Sequence, residues 1–365
     1  MLNKTRNLYI DVMKGLLIIL MVIGHLPFFE YDSRTLTLIY SFHMHAFLFI
    51  GGILSHIDEN TKINTIIIKK VKNILIPYFM FYIITLVFIP TATFDQKVKA
   101  VIVMFKGIGD PVNALNLPLW FLTFYFSIML IYESIEWLSY RIKILFFKKN
   151  INGKNEKYWF IAIITLIFIS IIMFLSYMYA RVYKMPRMPF NIEIAGFCLL
   201  FVYMGKILGR YIPIAYDSIY KNNKIKIISI LLIFILLIIY IYSWYTISMF
   251  NGRIDLNARD YKNPFLMYID ATLGFFIFAI ISFVISFLPV FKNMFAYLGK
   301  NSIYILAYHI PSTFVLHAFI LPHLSQNINI YLSCNSIFAI IILSSYSIIF
   351  SLIIALIHKR INFTR

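Results

Sequence analysis

Apolar runs of about twenty residues recur along this chain with short polar stretches between them, a pattern that predicts membrane-crossing helices. Ten runs are read: 8–28, 35–56, 72–90, 118–139, 158–180, 191–211, 226–250, 265–290, 299–322 and 329–357. The expected fold class is therefore all-α, a polytopic integral membrane protein of about ten transmembrane helices. The first run is not a cleavable leader. It is long, carries Asp11 and Lys14, and is followed by no small-residue cleavage site. A weaker apolar piece, Val98–Phe105, adjoins Lys97 and Lys106 and contains Lys99, and reads as an interfacial or re-entrant segment.

Composition sharpens this picture. The chain is 61% hydrophobic and only 13% charged, with a mean hydropathy of +0.83. A soluble globule, a disordered chain and a fibrous protein are all excluded by those figures. No stretch between runs has room for a soluble domain of ordinary size, so one membrane domain over 1–365 is expected, without an appended soluble domain. The formal net charge is +18. In so apolar a chain that excess belongs to membrane-facing loops and anionic lipid, not to nucleic acid. With the N-terminus in the cytoplasm, 22 of the 33 Lys and Arg residues fall on the cytoplasmic side and 10 outside, Lys14 lying within a span. The count supports cytoplasmic N- and C-termini. The largest outer group, Arg181, Lys184 and Arg187, is either loop charge or part of an acceptor-binding mouth. Cys198 and Cys334 both lie in apolar runs and imply no disulfide framework.

The polar residues within the runs carry the chemistry. An ionisable group inside a span costs about 2.5–3.5 kcal/mol on insertion scales, so each needs a reason. Lys14 and His25 are eleven residues apart, about three helical turns, and share a face roughly 16 Å long. Asp11 stands one turn before Lys14. One reading is a track: a cation near the inner mouth to hold phosphate, a histidine deeper in as general base, and room between them for an extended arm such as pantetheine. The other has Lys14 reaching back to the interface, paired with Asp11, and His25 simply ending its helix.

His43 and His45 stand two apart and point about 160° away from each other on a helix, so at most one shares a site with His25; His43 is the candidate. No histidine pair has the spacing of a helical zinc site, and no metal is expected. Ser302 and His309 are two turns apart on one face. His317 and His323 are expected near the outer interface. Glu193 and Asp270 lie near outer helix starts, either facing a polar acceptor or sitting at the interface. Glu133 and Glu136 are expected to pair with Arg141. Trp120, after Pro118, is placed in an interfacial tryptophan belt. The Gly205-x3-Gly209 pattern permits close helix packing. No phosphate-binding glycine loop, serine-nucleophile elbow or His-Glu-x-x-His motif is present.

Several of these pieces, in order, resemble the membrane acyltransferase-3 family, and within it the branch similar to fucose O-acetylases. They are Tyr9-Ile-Asp11-Val-Met-Lys14-Gly15 with Ile23-Gly24-His25; Phe42-His43-Met44 leading to Gly51-Gly52; Lys69-Lys70-Val71-Lys72 through Pro77-Tyr78; Leu119-Trp120-Phe121-Leu122; and Leu298-Gly299-Lys300-Asn301-Ser302 with His309. His45 stands where the family usually has proline, and lysines stand where many members have arginines. The resemblance implies an O-acetyltransferase that takes acetyl from cytoplasmic acetyl-CoA, as a co-substrate, and places it on a sugar hydroxyl of a cell-surface glycan such as O-antigen, capsule or a related lipid-linked saccharide. It implies a multi-pass protein of the bacterial cytoplasmic (inner) membrane. Lys14, Lys69 and Lys72 would steer the CoA phosphates, Asp11 would orient Lys14, His25 would be the base and His43 a second polar group in the same chamber. Trp120, Glu193, Asn301, Ser302 and His309 are the candidates to contact the acceptor. The competing classes are a polysaccharide flippase or polymerase, and a carrier with broken helices. Against the first stands the short longest outer loop, 91–117. Against the second stands the lack of matching Gly/Pro interruptions in two halves.

Overall fold

The computed structural model describes residues 7–26, 29, 33–89, 92–146, 154–221, 223–323 and 337–363. Cys334 and the start of the expected last span lie outside them. Among the described residues the chain is helical, with no strand beyond one isolated bridge between Asp255 and Asp260. The helices are α1 (Leu8–Gly24), α2 (Arg34–Leu54), α3 (Ile63–Lys70), α4 (Ile76–Phe88), α5 (Phe94–Lys106), α6 (Trp120–Phe146) and α7 (Lys154–Tyr177). They continue with α8 (Ile192–Phe197), α9 (Leu199–Lys221), α10 (Asn223–Asn251), α11 (Pro264–Ile285), α12 (Pro289–Lys300), α13 (Ser302–Val315) and α14 (Ile337–Phe363).

Among the described residues, seven helical stretches are long and apolar enough to cross a membrane, and eight if a bent pair counts as one span. That pair, Pro189–Phe197 and Leu199–Gly209, is bent by 63° where one continuous span was expected. Of the ten spans read from the pattern, the first is the 17-residue α1, which contains Asp11 and Lys14. The seventh is continued by the apolar stretch Leu236–Asn251 of α10. The weak segment after Pro90 forms α5, an amphipathic helix. Thr93 and Gln96 close a capping box at its start and Gly107, at φ 63°, ends it. Among the described residues, π-helical turns interrupt the regular ladder at Val71–Leu75, Met178–Val182 and Leu316–Ile320.

The chain divides into two compact units. The first holds Met1–Phe47, Ile214–Asp255 and Asp260–Arg365. Its centre is α1, which packs on α11, α12, α13 and α14. Two glycines bring α1 and α12 into backbone contact: a β-carbon on Gly15 would overlap the Phe295 carbonyl, and one on Gly299 would overlap the Asp11 carbonyl. Tyr9 adds a hydroxyl bond of 2.9 Å to the Ala279 carbonyl of α11.

The second unit holds Leu48–Pro213 and Leu256–Arg259 and is organised around α6, which packs on α3, α7 and α8. The Gly205-x3-Gly209 pattern does what its spacing permits. A β-carbon on Gly205 would overlap the Phe49 carbonyl, and Gly209 lies against Ile53, so α9 and the end of α2 pack backbone to backbone.

Candidate active site

Asn7 starts α1 by accepting a bond from the Tyr9 amide at 3.1 Å. One turn in, the Lys14 ammonium lies 2.9 Å from the Asp11 carboxylate, as the three-residue spacing predicts. Asp11 is buried and Lys14 half-buried. The helix ends at Gly24, so His25 is its C-cap residue, one step outside the regular helix.

His25 is half-buried, and its Nδ1 lies 2.8 Å from the Met21 carbonyl. Two further histidines are held the same way. His43 Nδ1 is 2.6 Å from the Ile39 carbonyl. His309 Nδ1 is 2.9 Å from the Leu306 carbonyl and 3.1 Å from that of Ile305. A carbonyl oxygen can only accept, so each Nδ1 carries the proton and donates it. The remaining nitrogen, Nε2, then bears the lone pair and faces away from its own helix. In His309 that Nε2 is buried and has no hydrogen-bond partner. Pro311 interrupts α13 just beyond, and the hydroxyls of Ser312 and Thr313 both donate to the His309 carbonyl, at 2.6 and 3.1 Å.

The three imidazoles belong to one group of rings. His25 and His309 meet edge-on with centroids 5.1 Å apart. Tyr40 bridges the others, 6.3 Å from His25 and 5.1 Å from His43. The buried Arg253 guanidinium lies over the Tyr40 ring at 4.2 Å, with Asp255 3.9 Å from it. Sequence reasoning selected His25, His43 and His309 but missed Tyr40 and counted Arg253 as outer-loop charge. Tyr40 was findable: it precedes His43 by three residues, one turn on the same face. His45, two residues on from His43, is buried as well.

At the other end of α1, next to Asp11 and Gly299, the Asn301 amide is held on both sides. Its Nδ2 donates to the Tyr297 carbonyl at 2.8 Å and its Oδ1 accepts from Lys359 at 2.6 Å. Ser302 opens α13 half-buried, two turns from His309. Asp270 is buried on α11 and accepts the Ser248 hydroxyl at 2.5 Å.

The other candidates lie in the second unit. Lys69 and Lys72 are exposed at the end of α3 and in the π turn that follows, and neither has an ion pair among the described residues. Lys70, between them, is buried and bonds Glu133 at 2.6 Å. Ser55 donates to the same carboxylate at 3.2 Å. Glu136, one turn along α6, pairs with Lys206 at 3.0 Å. Arg141 is therefore not the partner of these acids. It stacks on Trp137 and donates to the Thr61 carbonyl. Trp120 is buried at the start of α6 with its ring beside those of Phe121 and Phe124. Glu193 is buried, accepts the Met188 amide at 3.2 Å and lies 3.9 Å from Arg259. No group of three His, Cys, Asp or Glu among the described residues is placed to hold a metal ion.

A family model described as an acyltransferase domain matches residues 7–356, nearly the whole chain. The chain belongs to the acyltransferase-3 family. Neither a curated protein nor a solved structure matches it. The matched region takes in both ends of α1, the ring group of His25, His43 and His309, and the lysines of α3. This membrane acyltransferase thus carries, inside its family domain, three imidazoles whose tautomer is set by their own backbone.

Proposed function

We propose that this acyltransferase moves an acetyl group from acetyl-CoA to a sugar hydroxyl of a cell-surface glycan, in a bacterial cytoplasmic membrane with both termini inside. The observation that carries the reading is the ring group around His25. A neutral imidazole with a fixed Nδ1 proton and an available Nε2 lone pair is the state a general base needs at neutral pH. His25 is the half-buried member of the group and therefore the candidate to meet a reacting hydroxyl, whereas His43 and His309 are buried.

The donor supplies an acyl thioester. Lys14, held by Asp11, and the exposed Lys69 and Lys72 suit an anionic, phosphate-bearing donor. His25 Nε2 takes the proton of the sugar hydroxyl as its oxygen bonds to the acyl carbon, and returns a proton to the departing sulfur. His309 and Tyr40 keep the His25 ring in place, and Arg253 brings a positive charge to the same group. Ser302, Trp120, Glu193 and Asn301 remain the candidates to contact the acceptor.

The test is proton NMR of surface polysaccharide from a deletion host complemented with wild type or with His25→Ala. An O-acetyl signal with wild type, lost with an equally abundant His25→Ala, is the expected result. A general base contributes roughly 10²–10⁴-fold, enough to remove the signal. An acetyl signal that never changes, while chain length or surface display does, would replace this reading with a flippase or polymerase.

A further inference from the structure

The π turn Met178–Val182 at the end of α7 opens onto a cavity of about 450 Å³ lined by Tyr177, Ala180, Arg181, Lys184, Ala258 and Arg259. Three of those six side chains are cations and none is acidic. The cations are held by neutral oxygens for the most part. Arg181 donates to the Arg259 carbonyl at 3.2 Å, and Arg259 to the Met185 carbonyl at 2.9 Å, and these bonds position both guanidinium groups at the cavity. The nearest carboxylate to Arg259 is the buried Glu193, at 3.9 Å. Lys184 has no ion pair among the described residues and is exposed.

The backbone here is unusual in a way that bears on these side chains. Lys184 has φ 48° and Arg259 has φ 59°. Both are in the left-handed region, where glycine or asparagine is the unstrained choice. Two of the cavity's three cations therefore occupy positions at which local stability favours another residue. Arg181 sits in a π turn, a second costly local conformation. Of the five non-glycine residues at positive φ among the described residues, two are cations lining this cavity, and that coincidence with a third cation beside them points to a use for their charges. Next to it, Arg187 serves a different purpose, tying the Gly109 carbonyl to Asn257.

The geometry points to an anion-binding subsite for the acceptor: the cavity takes a phosphate or carboxylate carried by the glycan, so the substrate class is an acidic saccharide. Tyr177 offers a ring edge for the sugar, and the cations offer charge-assisted bonds to its anion. That the anion arrives on an acceptor sugar rests on the proposed function. The binding itself does not, and is measured without donor or turnover.

The full chain in phosphatidylcholine nanodiscs is titrated calorimetrically at low salt with glucose 1-phosphate and with glucose. Wild type is expected to prefer the phosphate by at least about tenfold. The double variant Arg181→Gln, Lys184→Gln is expected to lose that preference. A preference kept by the double variant places the phosphate elsewhere and overturns the site, as does equal binding of both sugars by wild type. A preference seen in phosphatidylcholine but abolished in phosphatidylglycerol nanodiscs makes the occupant a lipid headgroup and overturns the saccharide. Lys184→Gly separates binding from folding. It relieves the backbone, so it should raise the melting temperature while weakening glucose 1-phosphate. Unchanged phosphate affinity in that variant counts against the site. Failure of acyl transfer in wild type would remove the proposed function and leave these binding results readable.

Discussion

The ring group of the first unit and the lysine–glutamate pairs of the second solve the same problem in opposite ways. Both bury polar side chains in apolar helices, at a cost of several kcal/mol per unmatched charge. In the second unit buried charges meet their opposites: Lys70 with Glu133, Lys206 with Glu136. Around His25, the buried histidines are held through one nitrogen only, by carbonyls of their own helices, and the other nitrogen is left for something else. Matched charges hold helices together. Neutral bases with one committed nitrogen keep a lone pair available for chemistry. The location of buried polarity does not distinguish the two; the way it is satisfied does.

The sharpest break of this comparison is in the second unit. Glu133→Ala should destabilise by about 3–5 kcal/mol, since it strands the Lys70 ammonium. Lys70→Met with Glu133→Leu should restore most of that loss, as read by denaturant unfolding in detergent. If the double replacement is as unstable as the single, or if donor turnover falls without any loss of stability, the pair is not architectural.

The next effect lies in the first unit. His309→Ala should slow acyl transfer by roughly 10²-fold per folded molecule, beyond the stability lost with its packing and its Nδ1 bonds, because its partnerless Nε2 lies in the group around His25. A large stability loss with normal turnover per folded molecule would make His309 a packing residue. The smallest effect is at the far end of α1. Lys14→Ala should raise the apparent KM for acetyl-CoA about tenfold with kcat near wild type, the mark of lost ground-state binding. An unchanged KM removes Lys14 from donor binding.

Much of the fold is legible because the bilayer imposes it: a run must be long and apolar to cross, and that requirement is written in consecutive residues. Local pairs are legible for the same reason. Asp11 and Lys14, and Gly205 and Gly209, are neighbours on one helix, and their spacing alone brings them together. Partners from distant helices are not written this way. Glu133 lies near Arg141 in sequence but bonds Lys70, 63 residues away. Arg253 reads as loop charge until α10 delivers it to Tyr40. The 63° bend between α8 and α9 has no proline at the break, and nothing at Cys198 announces it. The candidate histidines were recognisable as residue types in apolar runs. Their common tautomer depends on carbonyls one turn back, a property of the built helix and not of composition.

The π turn at Val71–Leu75 carries a lesson about descent. A π turn is an α-helix with one residue inserted, and each residue turns a helix by about 100°. Loss of a single codon here would rotate α3 by that angle relative to α4. Lys70 would swing away from Glu133, and a different side chain would be offered in its place. Which of three neighbouring lysines is buried as a strut, and which two stay exposed, is thus decided by one inserted amino acid. A lineage could redraw that division by deletion, without replacing any lysine.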